Sequence, residues 1–241
     1  MRIPRIFTER ALSEGAVLAL EEAPSRHIGK VLRMQEGREL ILFNGQGGEY
    51  RASITQVGKK VTEVEIGEFS VGSKQSPLNI ELAIGLSKGD RFDLVLQKAT
   101  ELGVSKIVPL LSQRSEVKLN PERLTKKLAS WRQIIVGACE QCQLNIVPTL
   151  SEPLKLEQWL SGCDSDLKLV LHHRSDGTLA DMPEPKSLSL LIGPEGGLNS
   201  EEIECAQSYD FKALTLGPRV LRTETAPLAA ISLAQYLWGD F

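Results

Sequence analysis

The feature that most constrains the fold is the hydrophobic pattern of the last two thirds of the chain. After residue 77, short apolar runs alternate with longer stretches in which apolar side chains recur every three or four positions. The apolar runs predict strands at residues 79–85, 106–111, 166–172, 187–192 and 213–216. The longer stretches predict helices at residues 90–102, 121–142, 200–209 and 226–238. This alternation indicates an α/β fold with a mostly parallel sheet and helices on both of its faces.

Residues 16–69 have a different pattern, in which apolar and polar side chains alternate over short segments. The segments are residues 16–20, 39–43, 50–57 and 61–66. Strands at this spacing predict a small antiparallel barrel or sandwich, while residues 25–34 have a helical pattern. Residues 70–77 are small and polar and end in proline, as in a linker. We therefore predict two domains, residues 1–72 and 73–241.

The charge of the chain differs between these two parts. The first sixty residues hold ten Lys and Arg against seven Asp and Glu, whereas the rest hold eighteen against twenty-four. The whole chain has a net charge of −3 and a pI near 5.8, which by itself argues against a nucleic-acid partner. The basic first part nevertheless predicts that a contact with phosphate, if one exists, lies there.

Composition also bears on compartment and metal binding. No stretch approaches the ~20 apolar residues of a membrane span, and residues 1–10 are interrupted by charges, unlike a signal peptide. The four cysteines therefore predict free thiols in a reducing cytoplasm. Cys139 and Cys142 have C-x-x-C spacing, but no second pair with ligand spacing accompanies them, and Cys142 lies on an apolar helical stripe. We predict a cytoplasmic protein with no membrane partner and no metal.

The most informative motif is a turn at residues 193–197 with the sequence Gly-Pro-Glu-Gly-Gly. It follows a predicted strand and precedes a helix for which Asn199 is a suitable N-cap, with Glu202 at the capping-box position. Open α/β sheets bind ligands at the carboxyl ends of their strands, and glycines allow a small molecule to approach the backbone. A tight connection without a ligand is the alternative. The sequence contains neither a dinucleotide-binding fingerprint nor a phosphate-binding loop, which disfavours nicotinamide and ATP chemistry.

A second motif occupies residues 216–226, with the sequence Leu-Gly-Pro-Arg-Val-Leu-Arg-Thr-Glu-Thr-Ala. It also follows a predicted strand with a Gly-Pro pair, and it adds two arginines, two hydroxyls and a carboxylate before the last helix. Such a density of hydrogen-bonding groups between two buried elements is costly unless a partner satisfies them. A binding or catalytic loop is therefore favoured over a solvated turn.

Together the two motifs resemble the carboxyl half of the SPOUT methyltransferases, and more narrowly the bacterial 16S ribosomal RNA uridine N3-methyltransferases. Residues 27–34, 97–104, 113–115 and 138–142 agree with the same family, so the resemblance covers nearly the whole chain. It implies an N-terminal PUA-like β-barrel followed by an α/β trefoil-knot domain. It also implies a homodimer that uses S-adenosylmethionine to methylate 16S ribosomal RNA in a structured small subunit.

The resemblance further implies roles for individual residues. Those expected to bind S-adenosylmethionine are Leu171, His172, Ile192, Gly193, Gly196, Gly197, Leu216, Gly217, Leu221 and Thr223. Arg222 is expected to stabilise the uridine anion, and Glu224 to act as a base or to orient Arg222. The alternative for this pair is a capping and salt-bridge network at the start of the last helix.

The expected contacts with RNA are Arg5, His27, Lys30, Arg33 and Arg114. His27, Lys30 and Arg33 recur every three positions on one basic face, for which a solvated surface is the alternative. The chain departs from the family after residue 142, where Gln-Leu-Asn replaces the usual Gly-Arg-Asn, so one suspected phosphate contact is absent. Two other functions stay open: a knotted RNA-binding protein without catalysis, and a SPOUT methyltransferase that modifies a ribose hydroxyl or guanine.

Overall fold

The computed structural model describes residues 3–72, 75–87, 89–114, 120–172, 179 and 182–241. The chain divides into two compact units, which are described separately. The first comprises Met1–Gln75 with Cys139–Val147, and the second comprises Ser76–Ala138 with Pro148–Phe241. Residues 73 and 74 of the predicted linker lie outside the described residues, and the predicted boundary between residues 72 and 73 stays a prediction.

A five-stranded sheet forms the first unit. Its strands are β1 (Arg5–Phe7), β2 (Val17–Ala19), β3 (Glu39–Phe43), β4 (Glu49–Val57) and β5 (Thr62–Ser70). They lie in the order β1-β3-β4-β5-β2; β1 is parallel to β3, and the other neighbours are antiparallel. Alternate residues of β3, β4 and β5 are buried in one core, which explains the alternating sequence pattern. The predicted strands are therefore confirmed, and β1 is added to them.

The helical segment predicted over residues 25–34 begins earlier and ends earlier in the structure. Helix α1 covers Glu22–Arg26, and a π-helical turn continues it over His27–Val31. Ile28 is fully buried in the core of the first unit, whereas the Val31 side chain is 66% exposed. The turn is thus anchored by one apolar side chain and leaves the rest of its surface to solvent.

Arg5, which we expected to contact RNA, is buried in the first unit, and that contact stays a prediction. Its Nη1 donates to Glu49 Oε2 at 2.6 Å, its Nη2 donates to the Asn145 side chain, and its guanidinium lies 5.3 Å from the centre of the Phe43 ring. A buried charge must be paired and hydrogen-bonded, and the Glu49 carboxylate supplies this. Arg5 therefore helps to hold residues 139–147 within the first unit.

Parallel strands form the sheet of the second unit. They are β6 (Asn79–Gly85), β7 (Lys106–Leu111), β8 (Thr149–Leu150), β9 (Leu154–Lys155), β10 (Leu167–Leu171), β11 (Ser187–Ile192) and β12 (Lys212–Leu214). The order is β12-β10-β11-β6-β7-β8, and β9 also pairs with β7. Every pair between these strands is parallel, so the predicted sheet is confirmed.

Helices cover both faces of this sheet. The helices of this part of the chain are α2 (Asp90–Glu101), α3 (Pro121–Cys142), α4 (Leu156–Leu160), α5 (Ser200–Ser208) and α6 (Thr225–Trp238), and residues 139–142 of α3 belong to the first unit. Residues 188–192 of β11 are all buried, and since successive side chains point to opposite faces, both faces are covered. Leu191 packs with Trp159 of α4 and Ala206 of α5, while α6 contacts β11 and α2. None of the helices in the described ranges is both long and apolar enough to span a membrane.

The strand order determines where a site can form. Strands β10, β11 and β12 are neighbours and run in the same direction, so the loops that follow them emerge at one edge of the sheet. Ligands bind at this edge in open parallel sheets. The trefoil knot that the resemblance implies stays a prediction.

Candidate functional site

A cavity of about 250 Å³ lies at the carboxyl ends of β10, β11 and β12. Every residue that we expect to bind S-adenosylmethionine lines it, namely Leu171, His172, Ile192, Gly193, Gly196, Gly197, Leu216, Gly217, Leu221 and Thr223. The structure thus brings together side chains and backbone from three separate loops. Their contact with a cofactor stays a prediction at this point.

The first loop depends on close approach of its own backbone atoms. A Cβ on Gly193 would lie 2.6 Å from Leu198 N and 2.8 Å from Gly197 C, so only glycine fits there. Gly197 N donates to Pro194 O at 2.8 Å, and Gly197 has a φ of 69°, which favours glycine. These two glycines therefore allow the tight turn that directly follows β11.

Gly85 belongs to the same arrangement, although sequence reasoning did not assign it a role. It ends β6, and a Cβ on it would lie 2.5 Å from the backbone N of Pro194. Strand β6 can therefore contact the glycine-rich turn only because residue 85 has no side chain. A single glycine at the end of an apolar run was the only sequence signal, and it is too common to be decisive.

The capping box predicted at the start of α5 is confirmed. Asn199 Oδ1 accepts a hydrogen bond from the Glu202 backbone N–H at 2.8 Å, and Glu202 Oε2 accepts one from the Asn199 N–H at 2.9 Å. The helix therefore begins directly after the glycine-rich turn, with its first N–H groups satisfied.

The second loop is tied to the end of β10. His172 N donates to Leu214 O at 3.0 Å, and Thr215 Oγ1 donates back to His172 O at 2.7 Å. Gly217 has a φ of 74°, and a Cβ on it would find no atom within 4 Å. The backbone at Gly217 therefore borders open space at the cavity.

Arg222 and Glu224 do not line this cavity. The Arg222 side chain is 76% exposed, and its Nη1 lies 4.0 Å from Glu224 Oε1. Glu224 is the N-cap residue of α6, but its side chain makes no capping hydrogen bond to the helix. It borders a separate hollow together with Asp93 and Ile134.

Arg114, which we expected to contact RNA, lines the cavity. Its Nη1 donates to the Gly196 carbonyl oxygen at 2.7 Å. The contact between Arg114 and Gly196 could not be predicted from sequence, because Arg114 follows β7, whereas Gly196 follows β11, and only the parallel pairing of the sheet brings the two loops together. Arg114 remains largely exposed, so its other N–H groups face the cavity or solvent.

The other residues expected to contact RNA lie in the first unit. Lys30 and Arg33 are exposed and His27 is half-buried, all within or next to the π-helical turn. Arg33 has a φ of 49°, which is uncommon for a residue with a side chain. These three residues present a basic surface, and their contact with RNA stays a prediction.

All four cysteines lie in the described residues as thiols; Cys139 is buried, and Cys142, Cys163 and Cys205 are half-buried. Burial raises the pKa of the Cys139 thiol to about 12, because the thiolate would be desolvated and would lie near Cys142 and Glu140. Within the described parts of the chain, no group of three or more His, Cys, Asp or Glu side chains is placed to hold a metal ion. At neutral pH this shift favours the protonated thiol of Cys139 over the nucleophilic thiolate.

Comparison with known proteins identifies the family. The sequence profile of the RNA methyltransferase domain matches residues 74–235, and that of the RNA methyltransferase PUA domain matches residues 20–66. A named relative, the ribosomal RNA small subunit methyltransferase E of Buchnera aphidicola, is 32% identical over 242 residues. The alignment covers 100% of this chain and 96% of the relative.

Solved structures agree with this match. A methyltransferase of Legionella pneumophila, solved with bound S-adenosylmethionine, is 43% identical with a TM-score of 0.98, and the match covers 100% of both chains. The ribosomal RNA small subunit methyltransferase E of Neisseria gonorrhoeae, also bound to S-adenosylmethionine, is 39% identical with a TM-score of 0.94, again over 100% of both chains. The predicted fold class, a PUA-like domain followed by an α/β SPOUT methyltransferase domain, is confirmed. This chain belongs to the ribosomal RNA small subunit methyltransferase E family.

Proposed function

We propose that this chain is an S-adenosylmethionine-dependent enzyme that methylates N3 of one uridine in 16S ribosomal RNA. The observation that carries the proposal is the cavity, which gathers both motif loops at the ends of three parallel strands. The two relatives with bound S-adenosylmethionine support the cofactor, and the names of the relatives support a small-subunit RNA substrate. The choice of uridine N3 rests on the resemblance of the two motifs to that enzyme group.

The residues at the cavity fit S-adenosylmethionine. Leucine and isoleucine side chains from all three loops offer apolar surface for an adenine ring, and the glycines leave backbone N–H and C=O groups open to it. Gly217 in particular borders open space, so a ligand can approach its backbone closely. The lining thus combines the apolar surface and the few polar groups that a nucleoside-containing ligand needs.

Arg222 is the residue that we assign to catalysis. When bound, S-adenosylmethionine supplies an electrophilic methyl group, and uracil N3 can accept it only after losing its proton. A fixed cation beside the base stabilises the resulting anion, and a guanidinium stays charged at any ordinary pH. Arg222 lies between Leu221 and Thr223, which both line the cavity, and its exposed guanidinium can meet an incoming RNA.

Glu224 is assigned to orient Arg222. Its Oε1 lies 4.0 Å from Arg222 Nη1, and its side chain is 17% exposed against 76% for Arg222. The more buried carboxylate can therefore hold the more exposed guanidinium near one position. Glu224 could also take the proton of uracil, and the two roles differ in their effect on the pH profile.

The basic surface of the first unit is assigned to RNA. His27 and Lys30 lie within the π-helical turn, and Arg33 follows it. The exposed cations Lys30 and Arg33 can pair with phosphates. On this proposal, residues 1–72 hold the RNA and residues 73–241 carry out methyl transfer. Because bacterial ribosomal subunits assemble in the cytoplasm, such a substrate implies that the enzyme acts there.

A homodimer completes the proposal. Helix α6 leaves large apolar side chains in solvent: Leu233 is 45% exposed, Tyr236 72%, Leu237 40% and the following Phe241 61%. Leu233, Tyr236 and Leu237 are three and four positions apart and therefore share one face of α6. Exposed apolar side chains that share a face indicate a protein interface, and a second copy of the chain is the occupant that the family resemblance implies. An isologous contact would bury the same patch from both copies.

The Tyr236→Glu variant is expected to turn this dimer into a monomer. The substitution places a charge in the apolar patch without touching the core, since Tyr236 is largely exposed. Sedimentation velocity should give a dimer for the unmodified protein and a dissociation constant raised at least about 100-fold for the variant. Tyr209→Glu, at an exposed aromatic position after α5, is the control and should remain dimeric. A variant that stays dimeric, or an unmodified protein that is monomeric, would contradict the proposed interface.

Two measurements test the proposed function: binding of the cofactor, and then the identity of the methylated nucleotide. Calorimetry should detect S-adenosylmethionine binding to the purified chain. Small subunits from cells that lack the protein should then gain one N3-methyluridine when incubated with the protein and cofactor, as measured by mass spectrometry of digested ribosomal RNA.

Other products identify the alternatives. A chain that binds RNA but not S-adenosylmethionine would be a non-catalytic RNA-binding protein. A 2′-O-methylated ribose or a methylated guanine in place of N3-methyluridine would leave the chain a methyltransferase but refute the assigned position.

A further inference from the structure

The segment that follows β7 forms part of the cavity wall. Besides the hydrogen bond from Arg114 to the Gly196 carbonyl, a Cβ on Gly196 would lie 3.3 Å from both Cβ and Cδ of Arg114. The aliphatic part of Arg114 therefore packs directly on the glycine-rich turn. Since both residues line the cavity, the position of this segment contributes to the shape of the cavity.

Glu202 of α5 holds this segment in place. Its Oε1 accepts a hydrogen bond from the Gln113 backbone N–H at 3.0 Å, while its Oε2 accepts the capping bond from Asn199 N. Asn199 Nδ2 in turn donates to Gln113 Oε1 at 2.9 Å. One carboxylate thus links the residue before Arg114 to the residue that caps α5.

Burial distinguishes Glu202 from an ordinary carboxylate in the first turn of a helix. Glu202 is only 7% exposed, whereas its neighbour Glu201 is exposed. A buried carboxylate is costly unless its oxygens are hydrogen-bonded, and a capping box needs only one of them. The second oxygen of Glu202 is used for Gln113, on a different loop.

We propose that Glu202 is a positioning residue for the S-adenosylmethionine site. Through Gln113 it keeps Arg114 against Gly196 and so keeps the glycine-rich turn in the conformation that binds the cofactor. The inference rests on the proposed function. A ligand binds more weakly in proportion to the fraction of molecules that have lost the competent conformation, so losing the Glu202 link weakens binding although Glu202 itself does not line the cavity.

The Glu202→Gln variant tests the link. Glutamine keeps the size of the side chain, but its amide nitrogen cannot accept a hydrogen bond, so either Gln113 N or Asn199 N loses its acceptor. Calorimetry should show S-adenosylmethionine bound about tenfold more weakly. Glu201→Gln, which removes the same charge from the exposed neighbouring position, should bind as tightly as the unmodified chain.

The Arg114→Ala variant tests whether Glu202 acts through Arg114. If Glu202 acts through Arg114, Glu202→Gln should weaken binding by no more than about twofold further once Arg114 has been removed, because coupled residues are not additive. Fully additive losses of affinity in the double variant would overturn the proposal that Glu202 acts through Arg114. Thermal unfolding of each variant separates binding from stability: a lower melting temperature with unchanged affinity would mean a structural role only and would also overturn the proposal.

Amide hydrogen exchange tests the inference without cofactor. The Gly197 N–H donates to Pro194 O within the turn, and it should exchange faster in Glu202→Gln than in the unmodified chain or in Glu201→Gln. Unchanged exchange would refute the positioning role. An unmodified chain that failed to bind S-adenosylmethionine would refute the proposed function, while the exchange rates would still decide whether Glu202 orders the turn.

Discussion

Replacing Gly193 with alanine is expected to abolish most binding of S-adenosylmethionine. The added Cβ would lie 2.6 Å from Leu198 N and 2.8 Å from Gly197 C, so backbone atoms of the turn must move rather than a flexible side chain. Overpacking typically costs about 1–3 kcal/mol, and a shift of about 1 Å in a positioned site can cost about 100-fold. Titration calorimetry should therefore give a Kd raised at least about 100-fold.

A matched glycine in the same unit provides the control. Gly137 lies within α3, and a Cβ on it would find nothing within 4 Å. Gly137→Ala should keep the affinity for S-adenosylmethionine and should be stabilised by roughly 0.5–1 kcal/mol, because alanine is preferred to glycine inside a helix. Circular dichroism would establish that Gly193→Ala is folded. A folded Gly193→Ala protein that binds the cofactor with unchanged affinity would contradict the assigned site.

Long periodic segments could be predicted from the sequence because their local pattern is sufficient. Predicted strands 79–85, 106–111 and 187–192 and predicted helix 121–142 have the same bounds in the structure. In each case burial follows from a run or stripe of apolar side chains that no competing pattern interrupts.

Strands β1, β8 and β9 were not predicted, because pairing with a neighbouring strand decides their conformation. Strands β8 and β9 have two residues each, and both pair with β7. Strand β1 has three residues and pairs in parallel with β3, which lies far along the chain. These three segments have no alternating or continuous apolar pattern that extends beyond the strand itself, so pairing across the sheet decides their conformation.

The residues of the candidate site also divide into those that a local motif predicts and those that only the pairing of distant strands brings there. Its glycine-rich turns lie within contiguous motifs, so the residues expected at the cavity could be named from sequence. Gly85 and Arg114 reach the site only through strand pairing. The burial of Arg5 could not be predicted either, because a charged residue in a basic segment is usually solvated, whereas here Glu49 and Asn145 accept its hydrogen bonds in the interior.

Replacing Arg222 with alanine is expected to remove turnover while leaving cofactor binding nearly intact. The Arg222 side chain is 76% exposed and does not line the cavity, so its loss should not alter the pocket. If the guanidinium stabilises the uridine anion, its removal should lower kcat by about 100- to 1000-fold, as for other groups that stabilise developing charge. Single-turnover methylation of small subunits, with the Kd for S-adenosylmethionine measured in parallel, separates the two effects.

The pH profile and a conservative variant distinguish this role from general contact with RNA. Without Arg222, the rate should recover as pH rises, because deprotonation of uracil then no longer depends on the missing cation. Arg222→Lys should restore part of the rate, since lysine keeps the charge but not the planar shape of the guanidinium. Lys212→Ala removes an exposed cation at the start of β12 and should leave kcat unchanged. Normal turnover by Arg222→Ala, or a loss explained wholly by weaker cofactor binding, would mean that another group stabilises the anion.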